Sequence, residues 1–222
     1  MKRIAIVLFI VGLCASNLYA ALCSFDRIEG NEGVDISDQL KVNVSSNGQM
    51  LDSILGEMVD KVTFKFTNKT GGVDSSITEI YFYDGSLLNM YSIDDSHPNV
   101  YFEDLGASTN PGELPGYQPN YELLSVLSAT EAENPESKKG VKTGEWIEIG
   151  YTLLPGKTFQ DLLDDMETRE VVIGIHVKSI DQPGGGAESD SFILNTVIVP
   201  EPATIGILAL GSLLVIRKRR KK

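Results

Sequence analysis

The sequence is poor in the residue from which disulfides are built. It contains two cysteines among 222 residues, and Cys14 lies in an N-terminal segment that we expect to be removed on export. Cys23 is then the single thiol of the mature chain, so no internal disulfide can form. Leu22 is too bulky for the position before a lipid-modified cysteine, which argues against a lipoprotein. We expect Cys23 to be a free thiol near a mobile terminus, able to pair between molecules.

Residues and motifs typical of catalysis are also scarce. The two histidines are His97, which we expect in a loop, and His176, which we expect to be exposed on a strand face with Lys178. Two separated histidines and one cysteine do not make a zinc site, and no Gly-x-Ser-x-Gly motif of a serine nucleophile occurs. Glycoside hydrolases use pairs of carboxylates, but in so acidic a chain adjacent pairs arise by chance, as in Asp94 with Asp95, and in Asp164 with Asp165 on the wet side of a predicted helix. The sequence therefore predicts no enzyme, no metal and no cofactor.

Basic residues are few in the body of the chain. The formal net charge is −12, and eight of the 19 basic residues lie in the two end segments. Residues 21–199 hold 11 basic and 30 acidic side chains, a net charge of −19. A body this acidic repels phosphate backbones and anionic lipid. We therefore exclude nucleic acid as a partner and expect attraction for cations.

Long apolar runs are missing as well, since none reaches the roughly 20 residues of an ordinary transmembrane helix. The first run, residues 4–13, follows Lys2 and Arg3, and the small residues Ala20 and Ala21 close the segment. A basic start, a short apolar core and a small-residue exit are the parts of a secretory signal peptide. We predict a signal peptide over residues 1–20 and export of the rest.

The body alternates apolar and polar side chains over short segments at residues 61–67, 77–83, 86–93 and 145–154. Alternate side chains of a strand point to opposite faces, so this pattern predicts strands with one buried face. In residues 145–154 the predicted buried face consists of Ile147, Ile149, Tyr151 and Leu153. Further strands are predicted at residues 100–102, 121–127, 171–180 and 191–199, whereas any strand within residues 24–53 is expected to be weak.

Turn and helix signals complete the fold prediction. Asp84 and Gly85 lie between two alternating segments and predict a hairpin, because both central positions of such a turn need positive φ. Residues 106–119 are rich in Gly and Pro and predict a long loop. Thr158 can cap a helix whose apolar residues have helical spacing, namely Phe159, Leu162, Leu163 and Met166. We predict an all-β domain over residues 21–198, an antiparallel β-sandwich with a jelly roll as the candidate topology and one short connecting helix.

The C-terminal segment, residues 199–222, combines three features in a fixed order. A short motif is followed by an apolar segment at residues 203–216 and by six basic residues; the motif is Val199, Pro200, Glu201, Pro202, Ala203 and Thr204, and the basic tail is Arg217, Lys218, Arg219, Arg220, Lys221 and Lys222. Two prolines around a glutamate keep the backbone extended, which suits an active-site groove. The apolar segment is about 21 Å long as a helix, and the basic tail stays on the cytoplasmic side of a membrane. We predict a short transmembrane helix with the body outside.

This three-part segment resembles the C-terminal signal of the PEP-CTERM family. The resemblance implies processing by an exosortase, a membrane-embedded cysteine transpeptidase-like protein of Gram-negative bacteria that make exopolysaccharide. Residues 62–68, 77–85 and 172–177 resemble, more loosely, globular regions of other members, which implies a β-rich domain without assigned chemistry. A transmembrane anchor that is never processed is the alternative.

For the body itself we favour a non-enzymatic role at the cell surface or in the extracellular matrix, such as a biofilm, after transient anchoring in the inner membrane. Cell-surface polysaccharide is a candidate partner. The alternative is a glycan- or calcium-binding module, and an exported hydrolase comes third. The candidate side chains for the alternative are aromatic residues for stacking on sugars, Trp146, Tyr81 and Tyr83, and acidic residues for calcium, Asp181, Glu188 and Asp190, although the spacing of a calcium loop is absent.

We predict that the signal peptide is cut after Ala20 or Ala21, because these residues place a small side chain at the exit of the segment, just before the composition turns polar. Intact-mass measurement of the mature protein should therefore find Ala21 or Leu22 at its N-terminus. A mature chain that retains Met1 would contradict the signal peptide.

Overall fold

The computed structural model describes residues 20–28, 34–83, 86–105 and 126–198. These residues form eleven strands: β1 (Ala20–Arg27), β2 (Leu40–Leu51), β3 (Met58–Asn68), β4 (Ser76–Tyr83), β5 (Leu87–Asp94), β6 (Phe102–Asp104), β7 (Val126–Ala132), β8 (Val141–Lys142), β9 (Trp146–Leu153), β10 (Val172–Asp181) and β11 (Ala187–Ile198). The helices are α1 (Glu136–Lys139) and α2 (Phe159–Thr168), with a single 3₁₀ turn at Ser37–Gln39. The predicted all-β class is confirmed, and α1 and the 3₁₀ turn are additional to the one predicted helix.

The strands form one antiparallel sheet that folds back on itself. Their order is β5, β9, β3, β2, β1, β11, β10, β4, β7 and β6, with β8 beside β4. The end strands β5 and β6 contact each other, so the sheet is nearly closed. The predicted sandwich would have two separate sheets, whereas here the facing halves belong to a single hydrogen-bonded sheet.

The core lies between these two halves. The ring of Phe82 on β4 lies 5.0 Å from that of Phe64 on β3 and 4.6 Å from that of Tyr151 on β9, measured between centroids. Four strands separate β3 from β4 along the sheet, so these contacts exist only because the sheet folds over. Aromatic pairs at such separations add about 0.5 to 1.5 kcal/mol each beyond the burial of their area.

The alternating segments form strands with the predicted buried faces. Every second residue of β9 and β3 points into the core and is fully buried: Ile147, Ile149, Tyr151 and Leu153 on β9, and Val62, Phe64 and Phe66 on β3. This is the period of two that a strand imposes on its side chains. The predicted strand and its buried face at residues 145–154 are confirmed, although Gly150 and Thr152 on the opposite face are buried as well.

The expectation of weak strands within residues 24–53 is wrong, because β1 and β2 lie in the middle of the sheet. β1 pairs with β2 on one side and with β11 on the other. Ala21, Cys23 and Phe25 point into the core, and none is more than 1% exposed. Alanine and cysteine are small and only mildly apolar, so their alternation gives a weak signal although it fills the space beneath the neighbouring strands.

The hairpin predicted around Asp84 and Gly85 is not formed, although both of its strands are. β4 pairs with β10, β7 and β8, whereas β5 pairs with β9. The two turn residues themselves lie outside the described residues. The chain therefore changes from one half of the sheet to the other between β4 and β5, and the choice of partner strand follows from long-range packing, which a local turn signal does not contain.

Helix α2 begins at the predicted cap. The Oγ1 of Thr158 accepts the backbone N–H of Asp161 at 3.3 Å, and the Asp161 carboxylate accepts the N–H of Thr158 at 2.7 Å. This reciprocal capping box satisfies donors that the first turn of a helix leaves free. The four predicted apolar residues face the core and are buried: Phe159, Leu162, Leu163 and Met166.

Some of the predicted elements lie partly or wholly outside the described residues. The short strand expected at residues 100–102 is β6, which begins at Phe102, and the strand expected at residues 121–127 is described only from Val126 as β7. Three predictions lie outside the described residues: the loop at residues 106–119, the helix at residues 203–216 and most of the signal peptide. Within those residues no helix is long and apolar enough to cross a membrane.

We predict that Phe82→Ala lowers the free energy of unfolding by about 3 to 5 kcal/mol, because the Phe82 ring is fully buried against Phe64, Phe66 and Tyr151. Tyr101→Ala is the matched control, since Tyr101 is 47% exposed and its loss should cost less than about 1 kcal/mol. Urea unfolding of the mature protein, followed by circular dichroism, measures both. Equal losses would contradict a core built around Phe82.

Candidate functional site

The sheet places its last strand directly before the C-terminal motif. β11 lies between β1 and β10 in the middle of the sheet, and its final residue, Ile198, pairs with Leu22. Val199 is the next residue, so the motif begins where the folded domain ends. The predicted motif residues and the basic tail lie outside the described residues, and their individual roles stay predictions.

The first strand of the domain, β1, begins beside the end of β11. Ala20 pairs with Ser45 and Ala21 with Val44, so β1 starts two residues before the position that faces Ile198. Ala21 is fully buried, and a cut after Ala20 would keep its side chain in the core. Both the predicted signal peptide and the C-terminal segment therefore leave the domain from one end of the β1 and β11 pair.

The surroundings of Cys23 differ from those that the sequence predicted. Its side chain is fully buried in β1, and burial raises the pKa of the thiol to about 12. The thiolate is the reactive form of cysteine, so the folded domain keeps Cys23 both shielded and unreactive. The expectation of a thiol near a mobile terminus, available for pairing between molecules, is wrong.

The two histidines have different surroundings. His97 lies in the loop after β5, as predicted, with its ring edge against Trp146 at a centroid distance of 5.9 Å. His176 is 7% exposed, and its Nδ1 lies 3.1 Å from the hydroxyl of Ser191. Burial lowers the pKa of His176. The expectation that His176 is exposed is wrong, because the outer face of β10 is covered at this point.

The adjacent carboxylate pairs have structural partners. Asp94 accepts the backbone N–H of Ser96 at 3.0 Å, and its hydrogen bonds with Ser96 lower its pKa. Asp164 is exposed on α2, as predicted, but Asp165 is 7% exposed and pairs with Lys157 at 3.3 Å. The prediction for Asp165 on the wet side of the helix is therefore wrong.

The three acidic residues proposed for calcium are spread along the β10 and β11 hairpin. Asp181 and Glu188 are exposed, whereas Asp190 is 3% exposed and forms an ion pair with Arg27. Among the described residues, these three do not form a group with ligand atoms close enough to share an ion. The aspartate with the greatest burial already has a cationic partner.

A different set of carboxylates does converge. Glu79 on β4, Glu131 on β7 and Glu136 on α1 have ligand oxygens within 4.8 Å of one another. Glu79 and Glu131 face each other across the strand pair. These separated residues carry no sequence motif, so only the pairing of β4 with β7 and the position of α1 bring them together. We call them the glutamate cluster.

Lys178 supplies the cation of the glutamate cluster. Its ammonium lies 3.3 Å from the Glu79 carboxylate and also pairs with Glu136. Burial opposes the charge of Lys178, but its bonds to Glu136 and Glu79 prevail and raise its pKa. Burial, followed by repulsion from Glu136 and Glu79, raises the pKa of Glu131. A divalent cation would find oxygen ligands of the right kind here, but it would compete with Lys178.

The aromatic residues proposed for sugar stacking are mostly covered. Tyr81 and Tyr83 are 3% and 7% exposed and belong to a second apolar cluster on the outer face of the sheet. Trp146 is half-buried, and the Lys65 ammonium lies 3.8 Å from the centroid of its ring. The tyrosines are therefore packing residues, and a sugar ring on Trp146 would have to displace Lys65 from that face.

A polar groove lies where β4, β8 and β10 meet α1. It has a volume of about 380 Å³ and is lined by hydroxyl groups, carboxylates and one lysine: Asp74, Ser75, Ser76, Ser137, Lys142, Thr143, Glu145, Ser179 and Asp181. Ser179 has a φ of 57° at a bulge in β10, a left-handed conformation that is uncommon outside glycine. The groove offers hydrogen bonds to a polar ligand. The residues that line the groove come from separate segments, so no sequence motif predicts it.

Taken together, these features define an acidic, all-β domain whose last strand continues directly into a C-terminal segment. The family model of the PEP-CTERM protein-sorting motif matches residues 199–221, which confirms the resemblance. The match spans about a tenth of the chain. The motif indicates an exported protein that is sorted by an exosortase. No curated protein and no solved structure matches the chain.

We predict that Lys178→Gln lowers the free energy of unfolding at neutral pH by about 1 to 3 kcal/mol, between the values for exposed and buried ion pairs. The glutamate cluster would then lack its ammonium, and the pKa of Glu131 should rise further. A carboxylate with a raised folded-state pKa weakens the fold above that pKa, so the loss should shrink as the pH falls through it.

Lys65→Gln is the control, because the Lys65 ammonium pairs with one carboxylate, that of Glu148 at 2.8 Å, and also lies over the Trp146 ring. Both contacts are partly exposed, so the substitution should cost about 1 kcal/mol of unfolding free energy, and this loss should not shrink at mildly acidic pH. Urea unfolding at neutral and mildly acidic pH measures both variants. A Lys178→Gln loss that does not change with pH would count against repulsion within the glutamate cluster.

Proposed function

We propose that this chain is a non-enzymatic component of the cell surface or extracellular matrix of a Gram-negative bacterium. The observation that carries the proposal is the sorting motif at residues 199–221, placed directly after the central strand β11. The domain is then the cargo of the sorting signal. Its net charge of −19 keeps it soluble and repels other anionic surfaces.

The proposed sequence of events has three steps. The chain crosses the inner membrane by its signal peptide, and the apolar segment at residues 203–216 then holds it there with the basic tail in the cytoplasm. An exosortase-type protein reads the extended segment from Pro200 to Pro202 and processes the chain. Proline cannot donate to a sheet ladder, so Pro200 and Pro202 keep this segment from continuing β11.

A non-enzymatic role is supported by the partners of the candidate catalytic groups. His176 is buried beside Ser191, Asp165 pairs with Lys157 and Asp94 accepts the backbone N–H of Ser96. Each of these groups has a structural explanation within the described residues. We therefore keep an exported hydrolase as the least favoured hypothesis.

A glycan- or calcium-binding module is the second candidate, and the polar groove favours it. Five hydroxyl-bearing residues and three carboxylates line that groove, and sugars and Ca²⁺ are both bound through oxygen-rich surfaces. In this form of the proposal the matrix protein holds cell-surface polysaccharide, directly or through a cation. Saturable binding of a glycan or of Ca²⁺ by the mature protein would distinguish this module from a purely structural matrix component.

We predict that Glu201→Ala leaves uncut precursor in the inner membrane. The substitution hardly changes the apolar segment or the basic tail, so a simple anchor should behave as before, whereas a processing protein that reads the motif should lose its substrate. Glu167→Ala, at an exposed glutamate of α2, is the matched control and should be processed normally. Precursor size and membrane fractionation, in hosts with and without the exosortase, measure the outcome.

Deletion of residues 217–222 should fail in a different way, because without the basic tail the apolar segment can slip through the membrane before capture. Such a variant should be released without processing. If the wild type and Glu201→Ala are cut alike in the presence of the exosortase, recognition of the motif is refuted. If neither is cut, the unprocessed anchor is favoured.

A further inference from the structure

The β2 and β3 hairpin projects beyond the end of the domain from which both chain ends leave. Ile198 pairs with Leu22, Leu22 with Asn43, and Asn43 with Lys65. From Lys65, β3 continues seven residues outward to Met58, which is about 23 Å at 3.3 Å per residue. β9 accompanies β3 only as far as Lys61, and the described part of β1 accompanies β2 only as far as Ser45. Among the described strands, none pairs with the last part of the hairpin.

The tip of this hairpin is apolar and exposed. Six large apolar side chains among the described residues are exposed, and five of them lie at this end: Leu22 at 43%, Leu51 at 60%, Ile54 at 87%, Leu55 at 47% and Met58 at 56%. Four belong to the hairpin tip, residues 51–58. Exposed apolar residues concentrated at one place on a soluble domain mark a contact with another apolar phase or surface.

Four backbone N–H groups of the tip are hydrogen-bonded within it. The Asp52 carboxylate accepts the N–H groups of Ile54 and Leu55 at 2.8 and 2.9 Å, and the Asp52 carbonyl accepts the N–H of Gly56 at 2.8 Å. The N–H of Asp52 itself bonds to the carbonyl of Glu57 at 2.8 Å. Polar backbone groups are costly to remove from water unless they are paired, so these bonds prepare the tip for a water-poor environment.

The position of the C-terminal segment identifies that environment. Five steps of the chain lead from Ile198 to Ala203, the first residue of the apolar segment, and five fully extended steps span at most about 18 Å. The hairpin projects about 23 Å along the strand, or about 18 Å at a strand tilt of 40°. Even when this connection is fully extended, a hairpin that points toward the bilayer therefore reaches the membrane surface.

We propose that residues 51–58 insert their apolar side chains into the interfacial layer of the bilayer that holds the C-terminal segment. This inference rests on the anchored precursor of the proposed function. Insertion depends on apolar contact, since the acidic body is not attracted by anionic lipid. The hairpin then fixes the orientation of the domain on the membrane and presents the segment from Pro200 to Pro202 at a constant height.

The test uses the full chain reconstituted into phosphatidylcholine vesicles, with tryptophan emission as the reporter and dibrominated phosphatidylcholine as the quencher. Trp146 is the only tryptophan and pairs with Thr67, nine residues from Met58 along β3 and about 30 Å away. The reporter variant is Ile54→Trp in a Trp146→Phe background. Tyr101→Trp in the same background is the matched control, since Tyr101 is exposed next to β6, far from the hairpin tip.

Flotation first establishes that each variant is bound to the vesicles. Brominated lipid should then quench the Ile54→Trp reporter at least about twofold more strongly than Trp146 or the Tyr101→Trp reporter, because only the tip reaches the interface. Adding Leu51→Ser and Leu55→Ser should reduce the quenching of the tip reporter. The exosortase is absent, so this outcome is independent of whether the motif is recognised.

Two results would overturn the inference. In chains that float with the vesicles, equal quenching at positions 54 and 146 would show that the tip lies no closer to the lipid than the body of the domain. A blue-shifted tip reporter without lipid quenching would show that protein covers the tip, either a second copy of the chain or another partner. A full chain that does not float refutes the anchor itself, and the inference falls with it.

Discussion

Four aromatic rings, of Phe64, Phe66, Phe82 and Tyr151, pack against one another where the two halves of the sheet face each other. Strands that are far apart along the sheet become neighbours through this contact. The half of the sheet that contributes Phe82 also carries the glutamate cluster and the polar groove, both of which lie beside β4. Loss of this packing would leave an extended sheet with a wide apolar face in water, which is unfavourable.

Local patterns in the sequence predicted local structure well. The alternation in β9 and the cap of α2 are readable because a strand or a helix imposes its own period on its side chains. The prediction of a hairpin between β4 and β5 was wrong because strand pairing is not local. Asp84 and Gly85 favour a turn, but the partner of each strand depends on distant residues. β1 was missed because the buried side chains of Ala21 and Cys23 are small and give a weak apolar pattern. The burial of His176 was missed because other parts of the chain cover the outer face of β10, and a local sequence pattern does not show such contacts.

The candidate sites divide in the same way. The C-terminal motif is a linear signal, since a processing protein would bind an extended peptide, and the family match agrees with the sequence prediction. The glutamate cluster and the polar groove join residues from separate elements, so no fixed spacing of residues in the sequence predicts them. Lys178 explains why three glutamates can converge on the sheet surface, because its ammonium offsets their repulsion. The pKa of Glu131 is raised by its burial first and by the remaining repulsion from Glu136 and Glu79 second.

The pairing of β1 with β11 joins the first strand of the domain to the last. In an exported chain this arrangement has a consequence for timing, because the centre of the sheet stays incomplete until Ile198 has emerged from the membrane. Contacts between residues so far apart in sequence form slowly, and the β1 and β11 pair needs the last strand of the body. Completion of the sheet therefore coincides with arrival of the C-terminal segment at the bilayer.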